Sequence, residues 1–460
     1  MAVIALCFIS LANGFACHAY LLISQLNLYM RIKKTVFLLS LMAACFTAKA
    51  QQTNEPPKPD SLSLTLDSAE NMFLQNNFQL LAQKYNIDAQ KALVIQAKLY
   101  PNPNINFATT LYNPAAKAVL PLPFSTNGEV QAGISQLIIL AGKRNKQVKL
   151  QQANVTLSEY QFYDLVRTLK YTLRTDFFNI YYLLQSAKVY NSEIEALQHI
   201  VNAYAQQQGT GYIAEKEIVR IKAQLYSFKS EYNDLINQIN DAESELRLVL
   251  QTKATVFVNP AVDTIAEKSL DPLKFSLTTL IDSAYKRRTD LLVAKANNDI
   301  NKANYDYQKA LAVPDLTANV AFDQQGSYVN NLTMGGVSID LPFFNRNQGN
   351  IKSAKRMIDV TEATQKSVEA TVEENVTRSL QKAIAQDNLY KGIDPSFTAE
   401  FENLKNQVLI NYQKRNIGLL DFLDFYDSYK QNALQLNAIQ YNRVQALEDI
   451  NYYTGTNFFN

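Results

Sequence analysis

The 460-residue chain is predicted to be mainly α-helical with a small β portion, and to arise by duplication of one unit. Three observations carry that prediction. Helix breakers are absent over long stretches: no proline falls between Pro123 and Pro260, and beyond Gly142 only Gly209 and Gly211 interrupt that interval. Four short segments alternate apolar and polar residues. The chain also repeats itself at a constant spacing.

The helical part is the plainest. Residues 143–208 run without a breaker and carry Leu165, Leu169, Leu173, Phe177, Ile180, Leu184 and Ala187 at helical spacing. At 1.5 Å per residue that helix would be roughly 100 Å long. Gly209, Thr210 and Gly211 turn the chain, and a second helix over 213–251 runs back along the first. A helical hairpin of this length reads as coiled coil. In the second half, the stretch KGIDPS over 391–396 interrupts the corresponding helical region.

The strand-like segments fall in two pairs. Residues 104–112 alternate Ile105, Phe107, Thr109 and Leu111, and 129–138 alternate Val130, Ala132 and Ile134. Residues 315–323 alternate Leu316, Ala318, Val320 and Phe322, and 332–341 close on Val337, Ile339 and Leu341. Nine to eleven residues with one apolar face suit a tilted membrane-spanning strand. A half-buried soluble sheet has the same alternation. Four strands cannot close a barrel within one chain, and lipid tolerates no open sheet edge. In a membrane, several chains must therefore share one barrel.

The duplication is read from matched residues. Leu80, Lys84, Asn86, Asp88, Lys91, Ala92 and Pro103 recur as Leu291, Lys295, Asn297, Asp299, Lys302, Ala303 and Pro314, each 211 positions later. Each half then reads helix, β-hairpin, long helix, tight turn, long helix. The expected divisions are a first repeat over 62–265 and a second over 266–460, together one domain, preceded by a linker over 51–61.

The N-terminus reads as an export signal. Met30, Arg31, Lys33 and Lys34 open a basic segment, residues 35–46 are apolar, and Ala48-Lys49-Ala50 is a small-x-small cleavage site. Residues 30–50 are the expected signal peptide and 1–29 an upstream mis-start, with one long leader as the alternative. Cleavage after Ala50 removes four basic residues from a chain of net charge +2, leaving about −2. Such balance gives no reason to expect nucleic acid. All three cysteines lie in the leader, and Cys45 is a loose match to a lipidation site. A mature chain with His199 as its one histidine has few means to build a nucleophile, a histidine base or a transition-metal cage. No enzyme and no cofactor is expected, and His199 reads as a helix-surface residue.

Two stretches remain. In LPFFNRNQGNI, 341–351, Pro342 ends a strand because it cannot donate to the ladder. Phe343 and Phe344 suit an aromatic girdle at a membrane interface. Asn345 or Asn347 can cap the next helix, Gly349 gives the backbone room to turn, and Arg346 and Gln348 complete the polar run. In NYQKRNIGLLDFLDFYDSY, 411–429, Gly418 is the expected turn, and Asp421 and Asp424 follow on one helical face. A solvated helix face has the same spacing.

This arrangement resembles the TolC-like outer-membrane efflux proteins over nearly the whole mature chain, and LPFFNRNQGNI resembles the crossing of their CzcC-like, heavy-metal branch. The resemblance implies a homotrimer in outer-membrane lipid, four strands per protomer in one twelve-stranded barrel, and a helical tunnel in the periplasm. It implies an exit duct served by an inner-membrane RND pump and a periplasmic adaptor, with divalent metals as cargo. Multidrug efflux or type I protein secretion is the alternative within the family, and a periplasmic coiled-coil scaffold the alternative outside it. The resemblance further implies that Asp421, Asp424 and Tyr412 form the periplasmic gate. The tips at Gly209, Gly211 and Gly418, with Glu215 and Glu217 nearby, would dock the adaptor. Arg415 lies farther from the aspartates than the family's locking arginine.

Overall fold

The computed structural model describes residues 60–207, 215–263, 269–326 and 328–459. The leader, Cys45, Gly209 and Gly211 lie outside them. The first half contains β1 (Asp60–Thr65), α1 (Leu66–Asn76), α2 (Phe78–Lys98), β2 (Asn104–Thr109), a small hairpin of β3 (Tyr112–Asn113) and β4 (Ala118–Val119), β5 (Val130–Ile138), α3 (Lys143–Gln207) and α4 (Glu215–Leu250). β6 (Val256–Ala261) and a 3-10 turn (Pro272–Lys274) lead to α5 (Leu277–Arg287), α6 (Thr289–Leu311), β7 (Leu316–Asp323), β8 (Leu332–Ile339), α7 (Gln348–Lys391), α8 (Phe397–Gln413) and α9 (Leu419–Thr454). Apart from the β3–β4 hairpin and the divided helix α7–α8, the same element order occurs twice.

Local chemistry explains the boundaries. Thr65 and Ser276 cap α1 and α5 by accepting the backbone N–H groups of Ser68 and Thr279. The helix expected ahead of each hairpin is split in two. Asn77 ends α1 and begins α2, its Oδ1 accepting from the Gln79 and Leu80 N–H groups while its Nδ2 donates to the Val249 carbonyl. Arg288 holds the same junction in the second half, with Nε donating to Asp290 and no side-chain cap. The 65-residue α3 is unbroken. Its counterpart is divided at residues 392–396, where Gly392 caps α7 and Asp394 accepts from Ser396. β1 and β6 form a two-stranded sheet that the alternation pattern did not announce.

The main sheet has the order β2-β5-β7-β8, antiparallel throughout, so β2 and β8 are its edges. Its register aligns Ile105, Ile134, Val320 and Gly335 in one row and Phe107, Ala132, Phe322 and Thr333 in the next. The opposite face carries Asn104, Ser135, Asn319 and Gly336, then Asn106, Gly133, Ala321 and Met334. One face is apolar and the other mostly polar. The strands, six to nine residues long, are shorter than expected.

Helix packing differs between the halves. α6 lies between α3 and α7, while α2 packs extensively along α3 alone. The free side of α1–α2 bares Leu74, Phe78, Leu81, Tyr85 and Ile95. Midway along the long helices each half keeps its own core. Phe73, Phe177 and Leu246 centre the first, and Leu280, Val376 and Ile450 the second. Toward the far turns the halves share one core, in which Leu197, Ile221 and Phe228 meet Tyr412, Phe422 and Tyr426.

Candidate functional site

Two places hold the residues singled out by sequence: the strand-to-helix crossings and the turns at the far end of the long helices. At the second crossing Phe343 and Phe344 are exposed, Phe344 almost completely at 96%. The polar run beyond them folds onto itself. Asn345 Oδ1 accepts the Asn347 N–H, Gln348 Oε1 accepts the Arg346 N–H, and Gln348 Nε2 donates to the Phe344 carbonyl. Asn347 precedes α7 in the left-handed region at φ 57. Its amide donates to the Gln308 carbonyl (2.8 Å) and makes no cap bond. The turn expected of Gly349 is thus made by Asn347, which tolerates positive φ and gains an anchor on α6. Pro342 lies three residues beyond the end of β8.

At the first crossing the left-handed residues are Ala141 and Gly142. Lys143, buried, pairs with Asp315 at 2.7 Å, and Asp315 also accepts the Leu140 N–H. This binds the start of α3 to the start of β7. The Arg144 guanidinium lies over the Tyr100 ring, 3.8 Å from its centroid.

The turn between α8 and α9 corrects a second expectation. Gly418 has φ −76, an ordinary extended conformation, and serves as the cap of α9. The reversal is made at Arg415, φ 61, where Asn416 N–H donates to the Asn411 carbonyl and Arg415 N–H to the Tyr412 carbonyl. That bond pair is the Schellman closure, here with arginine in the place glycine usually takes.

Past this turn Asp421 and Asp424 are exposed on α9. They line an open groove with Asp427 and, from α4, Arg220. Tyr412 is turned into the shared core. Its ring stacks on Phe422 at 4.2 Å, and its hydroxyl accepts from Tyr204 at 2.7 Å. Burial, then the Tyr204 hydrogen bond, push its phenol above the usual range. Tyr412 therefore joins the two hairpins within one chain and does not line the groove. Glu215 and Glu217 stand in the first turn of α4, and His199 is exposed on α3.

Several charged groups at this end escaped the sequence reading. Glu193 is fully buried, and burial pushes its carboxyl up to about 7 against the opposing pull of Lys405. Lys405, on α8, stands 3.6 Å away, too far for a hydrogen bond, with its ammonium over the Tyr429 ring. Lys430, also buried, pairs with Glu231 at 2.7 Å and Asp427 at 3.1 Å. A signal was available for Glu193, which interrupts the apolar stripe between Tyr190 and Leu197. A single acid on a polar helix is otherwise indistinguishable from a solvated one.

A duplicated helical hairpin carrying two strands per repeat, apolar on one face and polar on the other, defines a channel-protomer architecture. The chain belongs to the outer membrane efflux protein family, whose profile matches residues 70–251 and again 280–456. It is 20% identical over 405 residues to the cobalt-zinc-cadmium resistance protein CzcC of Cupriavidus metallidurans, covering 87% of this chain and 92% of that one. The fold matches the Campylobacter jejuni CmeC outer membrane channel with a TM-score of 0.70 at 15% identity, over 85% of each chain. It matches CusC with a TM-score of 0.69 at 15% identity, over 88% of this chain and 96% of that one.

Proposed function

We propose that three copies of this chain close a twelve-stranded barrel in the outer membrane and continue into the periplasm as a helical duct. One observation carries the reading: the repeats are alike in sequence and unlike in company. β5 pairs with β7 across the repeat boundary, so the same rule pairs β8 with β2 of the next copy. α6 has a long helix on each side, so the open side of α2 calls for α7 of the next copy. Closing the sheet removes both edges, as lipid demands. It also covers the apolar side chains of α1–α2.

The duct conducts cargo from an inner-membrane RND pump through a periplasmic adaptor docked on the turns that include Gly209, Gly211 and Gly418. Divalent metal cations are the cargo this reading favours, supported by the likeness to CzcC over most of both chains. Asp421 and Asp424 form the carboxylate ring of the periplasmic gate, and Tyr412 supports it from behind through Phe422. A ring of carboxylates selects cations. Asp421→Asn combined with Asp424→Asn is expected to lower cation selectivity and divalent block in a planar bilayer. Unchanged reversal potential and block would remove the gate assignment. For the cargo, the gene is deleted and growth scored on cobalt, zinc, cadmium, copper, detergents and antibiotics. Sensitivity confined to the metals supports metal export, while sensitivity to detergents and drugs alone replaces it with general efflux.

A further inference from the structure

The connection between β2 and β5, residues 110–128, presents an extended exposed apolar surface beyond the end of the sheet. Leu111, Tyr112, Val119, Leu120, Leu122 and Phe124 are each 54–78% exposed. Lys117 is the one charge in the segment. The matching connection in the second repeat, 324–331, is shorter and mixes Gln324, Gln325, Asn330 and Asn331 with exposed Tyr328 and Val329. Exposed apolar surface of this extent marks an interaction site.

This segment is also held in place. Leu120 N–H donates to the Leu111 carbonyl at 2.8 Å, extending the small hairpin of β3 and β4. Asn113 accepts from Ala115 and Ala116 N–H and donates to the Asn127 carbonyl. Gln325 of the neighbouring connection donates to the Gly128 carbonyl at 3.1 Å. Leu120 and Phe124 occupy left-handed backbone conformations, φ 48 and 62. Non-glycine residues in that region cost of order 1–3 kcal/mol each and persist only where their surroundings over-determine them. The Asn113 and Gln325 side chains are thus spent on backbone, and the leucines and the phenylalanine are left outward.

We infer that this connection is a lipid-contacting element that extends the apolar wall of the barrel into the acyl chains of the outer leaflet. The inference rests on the barrel reading above. Two features favour lipid as the occupant. Leu111 continues the alternation of Ile105, Phe107 and Thr109, which the register places on the apolar face of the sheet. The six residues of β2 reach only about 15 Å of depth at a tilt of about 40°, whereas the apolar band of such barrels is about 25 Å tall. The hairpin from Leu111 to Leu120, with Leu122 and Phe124 beside it, supplies the missing height on this edge.

The chain contains no tryptophan, so one introduced residue reports its own surroundings. Leu122→Trp and Phe124→Trp probe the connection, and Val337→Trp, on the apolar face of β8, probes the barrel wall. The full chain is reconstituted in phosphatidylcholine vesicles with plain or acyl-brominated lipid, and iodide is added in parallel. The expected result is at least a twofold loss of emission from all three variants in brominated lipid, with little effect of iodide. Quenching of Val337→Trp by brominated lipid while both connection variants respond only to iodide would place the segment in water and overturn the inference alone. Connection variants insensitive to both quenchers would place it against another copy and overturn the inference as well. If Val337→Trp itself ignores brominated lipid, the barrel reading fails and the inference falls with it.

Discussion

The seam between the two repeats is charged, with separate cores on either side, midway along the long helices, and is built around one shared apolar core near the far turns. Midway along α3 the repeats keep separate cores and meet through charge. Arg174 of α3 reaches Glu448 of α9 at 2.6 Å and Glu70 of α1 at 2.7 Å. Tyr171 donates to Asp449 at 2.5 Å, and Arg167 donates to the Tyr452 carbonyl at 3.0 Å. At the far end the repeats share one apolar core stitched by the Tyr204–Tyr412 hydrogen bond, with the Lys430–Glu231 and Lys405–Glu193 pairs crossing at its inner margin. A charged seam fixes one geometry, because a displaced buried charge loses its partner. An apolar seam is non-directional and tolerates sliding. The difference gives a rigid collar midway along the long helices and a more compliant seam toward their tips.

Breaking the polar seam is expected to have the largest effect. Arg174→Met leaves Glu448 buried without its cation, a change that costs about 3–5 kcal/mol. The urea midpoint of the detergent-solubilised protein, followed by circular dichroism, should fall accordingly. A loss under about 1 kcal/mol would mean that water reaches Glu448 and the collar is not rigid. Arg443→Met, which leaves Asp387 with Lys391 as its remaining cation within the second repeat, should cost less, and an equal loss would show that rigidity resides in each repeat as much as in the seam.

The next effect depends on pH. The Glu193 carboxyl sits at about 7 in the folded chain against about 4.3 when unfolded. Between those values the native state holds more protons than the unfolded state, so stability falls as pH rises from about 5 to about 7 and then levels off. The charges facing it are those of Lys405 and Lys430, with the Tyr426 and Tyr429 phenols nearby. Glu193→Gln should flatten the unfolding midpoint across that window, a difference of roughly 1–3 kcal/mol. A slope that survives the substitution would assign the titration elsewhere, Asp176 being the next group raised to about 7, by burial and then by the charge of Glu245.

Smaller effects test the tip and the sheet. Tyr204→Phe removes one hydrogen bond from the apolar seam and should cost about 1 kcal/mol. Urea denaturation of that variant beside Arg174→Met compares the two levels of the seam directly, and equal losses would erase the contrast. The smallest change concerns a pair of equivalent glycines. Gly133 lies under the Asn106 amide and Gly336 under the Asn319 amide, each too close for a Cβ. Because the obstacle is a side-chain end free to swing aside, Gly133→Ala and Gly336→Ala should each shift stability by under about 1 kcal/mol. A several-fold larger loss at one of them would show that the repeats differ inside the barrel as well.

The residues by themselves determined the large pattern of this protein. Long stretches without glycine or proline specify α3 and α4, because nothing in them competes with the helix. Alternation in Ile105-Phe107 and Leu316-Val320 specifies the four main strands and their apolar face, because side chains in a strand change sides at every step. The 211-residue spacing made the duplication legible. Other features were decided only by tertiary contact. The turns settled on Arg415 and Asn347 and bypassed Gly418 and Gly349, because a bond pair to the preceding helix and an anchor on Gln308 offset the cost of positive φ. Tyr412 faces Phe422 and Tyr204 rather than the groove of Asp421 and Asp424, because α3 and α9 bury that side of α8. The unlike surroundings of α2 and α6 were also invisible, since their sequences correspond while their neighbours do not. Periodicity reports which side of an element wants burial, and only the assembled chain decides what covers it.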